Sequence, residues 1–171
     1  ALKAEGGDTP VSRSITTHEL GRAVLDQGRA AEAEALFRQA LALKAEGGDT
    51  PVSRGITTHE LGRAVLDQGR AAEAEALFRQ AVALKEEGGD TPASRGITTH
   101  ELGRAVLGQG RAAEAEALFR QALVLLEEGG APLAWQAGIL RALARSLRGQ
   151  GRADEASAAE ARAAELDPAQ S

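Results

Sequence analysis

The amino-acid sequence predicts an all-α protein, an α-solenoid of antiparallel helix pairs that stack on one another. The stretches between its 20 glycines are rich in Ala, Leu, Glu, Arg and Gln, the strongest helix formers. The sequence also repeats itself every 41 residues, so that His18, His59 and His100 recur at this spacing. Each copy carries apolar residues on one helical face. A helix pair with one such face has to stack on its neighbours to bury it.

The first helix of each copy is predicted from its start and stop signals. In the first copy, Asp8-Thr9-Pro10 places an N-cap candidate before a proline, whose missing N–H costs nothing in a first helical turn. The helix then runs from Pro10 to Gln27. Gly28 ends it, because glycine readily takes the left-handed conformation found after a helix.

An alternative start for this first helix stays open. Gly55 and Gly96 lie inside the corresponding helices of the next two copies, at a cost of about 1 kcal/mol each relative to alanine. Thr16 and Glu19 have the spacing of a capping box, so the helix could instead begin or bend at Thr16. We favour the longer, uninterrupted helix.

The second helix of the first copy is predicted from Arg29 to Glu46. Its acidic and basic residues Glu34 and Arg38 form an i,i+4 pair on the solvated side, and Gly47-Gly48 ends the helix. The apolar face consists of residues at helical spacing, namely Ala33, Leu36, Phe37, Ala40 and Leu41.

The copies predict the organisation of the chain as one array over residues 1–171. Residues 1–10 reproduce residues 42–51, so we expect residues 1–7 to be the end of a truncated upstream repeat. Three near-identical repeats follow at 8–48, 49–89 and 90–130. Residues 131–168 form a divergent repeat in which Glu160 replaces the phenylalanine, which predicts a polar C-terminal cap before the tail 169–171.

The single tryptophan, Trp135, belongs to this divergent repeat. Val124 and Leu126 also replace polar or small residues of the earlier copies. We interpret all three as added core that holds the cap in place, and we favour this role for Trp135 over that of a ligand platform.

The pattern of small and large residues resembles the tetratricopeptide repeat. The period of 41 residues and the GDTP connector are similar to the longer variety found in kinesin light chains and many bacterial signalling proteins. The resemblance implies a right-handed superhelix whose first helices face a concave, ligand-binding side. Its signature residues in the first copy are Leu20, Gly21, Val24, Ala33, Phe37 and Ala40, and Pro168 matches the terminating proline of the family.

Composition excludes several classes of function. The chain has no cysteine, which rules out disulfides and thiolate metal sites and fits a reducing compartment, and we expect a cytoplasmic protein. No window approaches the roughly 18 apolar residues of a membrane span. With a formal net charge of -5, the chain lacks the clustered basic surface that nucleic acid requires. We therefore expect a protein or peptide as partner.

No motif predicts catalysis, a metal or a cofactor. His18-Glu19 resembles the start of a zincin motif, but Arg22 stands where the second histidine is needed. The sequence also has no phosphate-binding loop and no dinucleotide fingerprint. We therefore expect a protein that is not an enzyme.

The predicted ligand contacts form a ladder on the first helices, where i, i+4 and i+8 share one face. A basic residue occurs in every copy, whereas the acidic residue is missing from the last two. The predicted groove residues are His18, Arg22 and Asp26, then His59, Arg63 and Asp67, then His100 and Arg104, and finally Arg141 and Arg145.

This net positive ladder in a net negative protein suggests binding of an acidic peptide or a C-terminal carboxylate, with arginine as the bidentate partner. The equally weighted alternative is that Arg22 pairs with Glu19 and Asp26 of its own helix.

Three classes of function remain at this point. The first is a protein-interaction scaffold or ligand-sensing segment of a larger, bacterial protein. The second is a self-assembly module, because the predicted truncation exposes an apolar face at the N-terminal end through which copies could associate. The third is an engineered consensus array, against which the glycines inside the helices and the divergent last repeat argue.

Overall fold

A computed structural model describes residues 9–167, which form four antiparallel helix pairs. The helices are α1 (Pro10–Asp26), α2 (Ala30–Gly47), α3 (Pro51–Asp67), α4 (Ala71–Glu87), α5 (Pro92–Gly108), α6 (Ala112–Glu128), α7 (Leu133–Gly149) and α8 (Ala153–Leu166). Over this range no strand occurs, and the prediction of an all-α solenoid in a right-handed superhelix is confirmed. The predicted upstream segment 1–7, Asp8, Pro168 and the tail 169–171 lie outside the described residues.

Helix α1 begins where the start signal predicts and runs without interruption past Thr16. Thr9 is the N-cap, and its hydroxyl accepts a hydrogen bond from the Ser12 amide at 3.1 Å. Thr16 makes no cap, since its hydroxyl donates to the Ser12 carbonyl inside the helix. After the helix, Gly28 takes a φ of 76°, the left-handed conformation predicted for it.

The core of each of the first three pairs is a phenylalanine of the second helix packed on a glycine of the first. Phe37, Phe78 and Phe119 are fully buried. A Cβ atom added to Gly62 would lie 2.7 Å from Cε1 of Phe78. Because a real side chain cannot come that close, the glycine sets the distance between the two helices.

The glycines inside the first helices also have a packing role. A Cβ atom on Gly55 would lie 3.2 Å from the Ala81 carbonyl oxygen, and one on Gly96 would lie 3.1 Å from the Ala122 carbonyl oxygen. Both glycines therefore let the first helix approach the end of its own second helix closely. This contact offsets the loss of helix propensity noted from the sequence.

Adjacent pairs meet at three seams, each formed by the second helix of one pair and the first helix of the next: α2–α3, α4–α5 and α6–α7. In the α4–α5 seam, Glu75 accepts hydrogen bonds from Gln109 at 2.7 Å and from Arg111 at 2.6 Å. The same arrangement joins Glu34 to Gln68 and Arg70, and Glu116 to Gln150 and Arg152. These three carboxylates hold the pairs in one register.

The first helices form the inner wall of the array. The backbones of α1, α3, α5 and α7 approach one another closely in sequence, whereas within residues 9–167 those of the second helices do not. The second helices are linked by longer side chains instead, in the ion pairs Arg38–Glu73 and Arg79–Glu114. A stack of pairs whose backbones come closest along one row of helices curves toward that row. The surface of the first helices is therefore the concave side.

The last pair departs from the repeat in its second helix. Leu143, Leu147 and Ala156 are buried where the repeat predicts them. Glu160, in place of phenylalanine, forms an ion pair with Arg148. The residue in register with Glu34, Glu75 and Glu116 is Ser157, so this pair lacks the carboxylate that joins the earlier pairs.

The interpretation of Trp135 as core is wrong. Its side chain is 49% exposed, and Val124 is also exposed, whereas Leu126 is buried as expected. Trp135 stands in register with Ser53 and Ser94, which lie half-buried at the rim of their seams. A large ring at this position has neighbours on one side only.

Candidate peptide-binding surface

Two of the three histidines of the predicted ladder lie in the wall of the groove rather than on its surface, and the third, His100, is partly buried. His18 and His59 are buried, and their rings lie 5.7 Å from the centres of Phe37 and Phe78. Nδ1 of His18 lies 3.1 Å from the hydroxyl of Thr57 on the next first helix. These two histidines support the inner wall and leave direct ligand contacts to other residues.

Burial also keeps the histidines uncharged. It lowers the pKa of His59 to about 3, with the charges of Lys85 and Arg63 acting in the same direction. The pKa values of His18 and His100 are lowered mainly by burial as well. Neutral imidazoles leave the positive charge of this surface to its arginines.

The first three arginines of the ladder each lie near a glutamate of their own helix. Arg22 Nη1 lies 3.5 Å from Glu19, and the equivalent distances are 3.0 Å from Arg63 to Glu60 and 2.8 Å from Arg104 to Glu101. The pairing of Arg22 with Glu19, which the sequence offers as an alternative to ligand binding, is therefore present in the structure. Asp26 makes no ion pair with Arg22 within residues 9–167.

The fourth copy departs from this pattern. Its residue in register with Glu19, Glu60 and Glu101 is Ala142. Consequently, no described residue forms an ion pair with the exposed Arg145. Arg141 lies 3.5 Å from Asp167 beyond the end of α8.

A cleft of about 350 Å³ brings part of the ladder together. It spans three first helices and is lined by Leu66, Asp67, Arg104, Leu107, Gly108 and Arg145. Arg22, Asp26, Arg63 and Arg141 lie outside it. Gly108 stands where the earlier copies have Asp26 and Asp67, so this cleft lacks one carboxylate.

The two earlier seams each bury a polar triad beside the groove. Lys44 Nζ lies 2.7 Å from Asp49 and 2.6 Å from the hydroxyl of Ser53, which donates to the same carboxylate. In the next seam, Lys85, Asp90 and Ser94 repeat this set, with the ammonium 2.9 Å from the hydroxyl. Each buried ammonium is paired and hydrogen-bonded, as its burial requires.

The last seam replaces the whole triad with apolar residues. Leu126, Ala131 and Trp135 stand in register with the lysine, aspartate and serine. A pocket of about 320 Å³ lies there, lined by Ile97, His100, Leu126, Ala134, Trp135, Gly138 and Ile139. The sequence motifs did not predict this pocket, although the joint replacement is visible when the fourth copy is aligned with the others.

The sequence profile of the tetratricopeptide repeat matches residues 12–87 and 94–169, which together make up most of the chain. The chain belongs to the tetratricopeptide repeat family. No curated protein matches the chain significantly.

Several solved structures resemble this array. The crystal structure of the nearly identical TPR-like repeats of a putative kinesin light chain from Podosopora anserina is 28% identical. It aligns with 99% of this chain and 80% of that one, with a TM-score of 0.72. BtubC (BKLC) from P. vanneervenii reaches a TM-score of 0.85 at 18% identity, over 99% of this chain and 67% of that one. MamA has a TM-score of 0.70 at 17% identity, over 92% and 80%.

Membership bears on the function in general terms. Tetratricopeptide repeats are protein-interaction scaffolds that are typically not enzymes, which supports a protein-binding role for this array. Between residues 9 and 167, the array has no group of three or more side chains placed to hold a metal ion. No helix in the same range is long and apolar enough to cross a membrane.

Proposed function

We propose that the inner surface of the array binds an acidic segment of a partner protein, with Arg104 and Arg145 as its main contacts. The observation that carries the proposal is the state of Arg145. This arginine lines the cleft between the first helices, is exposed, and has no ion pair within residues 9–167. A guanidinium in that position is free to form a bidentate pair with a ligand carboxylate.

The changes along the array support this assignment. Toward the C-terminal end, Ala142 removes a glutamate, and Gly108 and Gly149 remove aspartates, while the arginines are kept. These glycines are not required by packing, since a Cβ atom on Gly108 would lie 3.7 Å from its nearest neighbour. The cleft thus gains positive charge within a chain whose net charge is -5.

Two sources of carboxylate fit this chemistry, an acidic side chain and the free C-terminus of a chain. The test is a fluorescence-anisotropy titration with labelled peptides of alternating glutamate and serine, with a free or an amidated C-terminus. We expect Arg104→Gln/Arg145→Gln to weaken binding about tenfold or more, because two charge-assisted hydrogen-bonding groups are lost. The loss should shrink as salt is raised.

The matched control is Arg29→Gln/Arg162→Gln, which removes the same charge from exposed arginines that pair only with glutamates of α2 and α8. Gly108→Asp is a complementary variant, since it restores the acidic residue of the earlier copies and should also weaken binding. Equal affinities of the wild-type chain and the Arg104→Gln/Arg145→Gln variant would rule out the proposed function. A large difference between the free and amidated peptides would assign the site to a C-terminus.

The second candidate is self-association through α1, favoured by one observation. Leu20 is 52% exposed, whereas its equivalents Leu61 and Leu102 are 3% and 4% exposed beneath the preceding second helix. Thr16 and Ala23 are exposed on the same face, while their equivalents are buried. Concentration-dependent light scattering distinguishes this candidate from peptide binding.

A further inference from the structure

The apolar pocket of the α6–α7 seam is a feature that the other seams do not share. At the corresponding place, the α2–α3 seam has a smaller cleft of about 160 Å³, lined by Lys44, Ser53, Thr57 and other residues. In the last seam Leu126, Trp135 and Ile139 occupy these three positions. An ammonium and two hydroxyls have therefore been exchanged together for apolar groups, which leaves His100 as the one titratable side chain in the lining.

A fourth exchange opens this pocket. Gly138 stands in register with Ile56 and Ile97, so the last seam lacks a side chain that the earlier seams have. A Cβ atom added to Gly138 would meet nothing within 4 Å. The glycine is thus not needed for close helix packing, in contrast to Gly55 and Gly96. Its effect is to leave space between α5 and α7.

The pocket and the cleft that contains Arg145 lie in the same groove between α5 and α7. The pocket is formed near the beginnings of these helices, and Arg104 and Arg145 lie two turns further along. Ile97 and Arg104 are seven residues apart, as are Gly138 and Arg145. At ~1.5 Å per residue, both pairs place the two sites about 10 Å apart.

We propose that the pocket takes one bulky apolar side chain of the same acidic segment, about three residues from the carboxylate bound by Arg104 and Arg145. The number follows from the polyproline II conformation, which advances ~3.1 Å per residue with about three residues per turn, so that side chains three positions apart lie on the same side. The inference rests on the proposed function, because the basic cleft in the same groove is what identifies the occupant as an acidic segment. A pocket of about 320 Å³ lies at the small end of ligand sites and suits a single side chain.

The experiment is a selection of random phage-displayed peptides against the full chain. For the wild-type chain we expect enrichment of an apolar residue three positions from an aspartate or glutamate. For Gly138→Ile, which fills the pocket with the residue of the earlier copies, we expect the acidic preference to remain and the apolar preference to be lost. A selected peptide should bind this variant about tenfold or more weakly, because one apolar side chain can no longer be buried.

Two further variants guard against an effect on folding. Gly138→Ala adds one methyl group with no neighbour within 4 Å and should keep both preferences. Trp135→Ser restores the residue of the earlier seams and removes one wall of the pocket, so it should lower the apolar preference. Helical circular dichroism checks that each variant is folded.

The outcomes separate this inference from the proposed function. Enrichment of acidic residues without an apolar residue at that spacing overturns the pocket assignment and leaves the function standing. An apolar preference that persists in Gly138→Ile has the same meaning. Loss of the acidic preference in Arg104→Gln/Arg145→Gln supports the function, and the absence of any acidic enrichment in the wild-type chain overturns both.

Discussion

At the scale of single residues, the array combines tight apolar contacts with histidines that are kept neutral. His59 is buried against Phe78, and its Nδ1 atom has no hydrogen-bond partner within residues 9–167. The equivalent atom of His18 reaches the Thr57 hydroxyl. A protonated imidazolium at His59 would face the charges of Lys85 and Arg63 with little solvent to screen them.

Acidification should therefore destabilise the array before its carboxylates titrate. The pKa of His59 is about 3 in the folded chain and ordinarily about 6.5, so the unfolded chain binds more protons between these values. The contribution of a neutral His59 to the free energy of unfolding is fully present above about pH 6.5. It is lost progressively as the pH falls toward 3. The contribution of His59 is a loss of about 2 kcal/mol between pH 7 and pH 5.

Urea denaturation of the wild-type chain and His59→Gln at pH 7 and pH 5 measures this contribution. We expect the variant to lose less stability between the two pH values, because a glutamine does not titrate. Equal losses for the two proteins would show that His59 is not the group responsible.

Trp135 marks the limit of sequence-based reasoning at this scale. Its size and apolar character predict burial. Its position in the repeat, however, is the half-buried one of Ser53 and Ser94, and Trp135 is accordingly exposed. The register was already readable from the repeat, and so was the joint loss of Lys44, Asp49 and Ser53 in the last copy. That these positions surround one pocket could not be read, because it depends on how neighbouring pairs pack.

At the scale of helices, the seams are held by a buried apolar strip and by one carboxylate each. Burial alone would raise the pKa of Glu75, but hydrogen bonds from Gln109, Arg79 and Arg111 outweigh it and lower the pKa to about 2. The carboxylate is therefore ionised down to low pH. Its donors are Arg79 of its own helix and the two cap residues Gln109 and Arg111, which lie between α5 and α6 of the next pair.

Glu75→Gln should weaken the α4–α5 seam by about 1–3 kcal/mol, because it leaves the donors on Gln109 and Arg111 without a charged acceptor. The control is Glu127→Gln, which removes the same charge at an exposed position with no ion pair within residues 9–167. Thermal and urea denaturation of both variants measures the difference. Equal stabilities would mean that the seam depends on apolar packing alone.

Helix bounds and pairing were predictable because each signal is local. The caps at Thr9, the left-handed Gly28 and the phenylalanine spacing all lie within one copy. The intrahelical pairing of Arg22 with Glu19 is also an alternative that the sequence offers, and the structure contains it. The seam carboxylates were predicted only as surface pairs such as Glu34 with Arg38, since their partners lie in the next copy.

At the scale of the whole molecule, the two ends of the array differ. The described N-terminal face has the exposed Leu20, Thr16 and Ala23, together with Gln27, whose equivalents bind a seam carboxylate. The C-terminal pair presents Ser157 and the paired Glu160 instead. The two described ends therefore differ in the residues that they present at the surface.

If the N-terminal face associates, the mass measured by light scattering should rise with concentration, and Leu20→Glu should return the chain to a monomer. The reason is the apolar surface of α1 that lies uncovered. Leu133→Glu is the control, since Leu133 is similarly exposed at the beginning of α7. A monomer at every concentration would exclude this candidate.

The uniform register of the Glu34, Glu75 and Glu116 contacts has a consequence for how such genes change. If a whole copy is inserted among the near-identical copies or deleted from them, each remaining glutamate still faces the glutamine and arginine of the copy that follows it. Recombination between copies can therefore lengthen or shorten the protein without disturbing its last pair. We expect near relatives to vary in copy number while conserving the segment around Trp135 and Arg145.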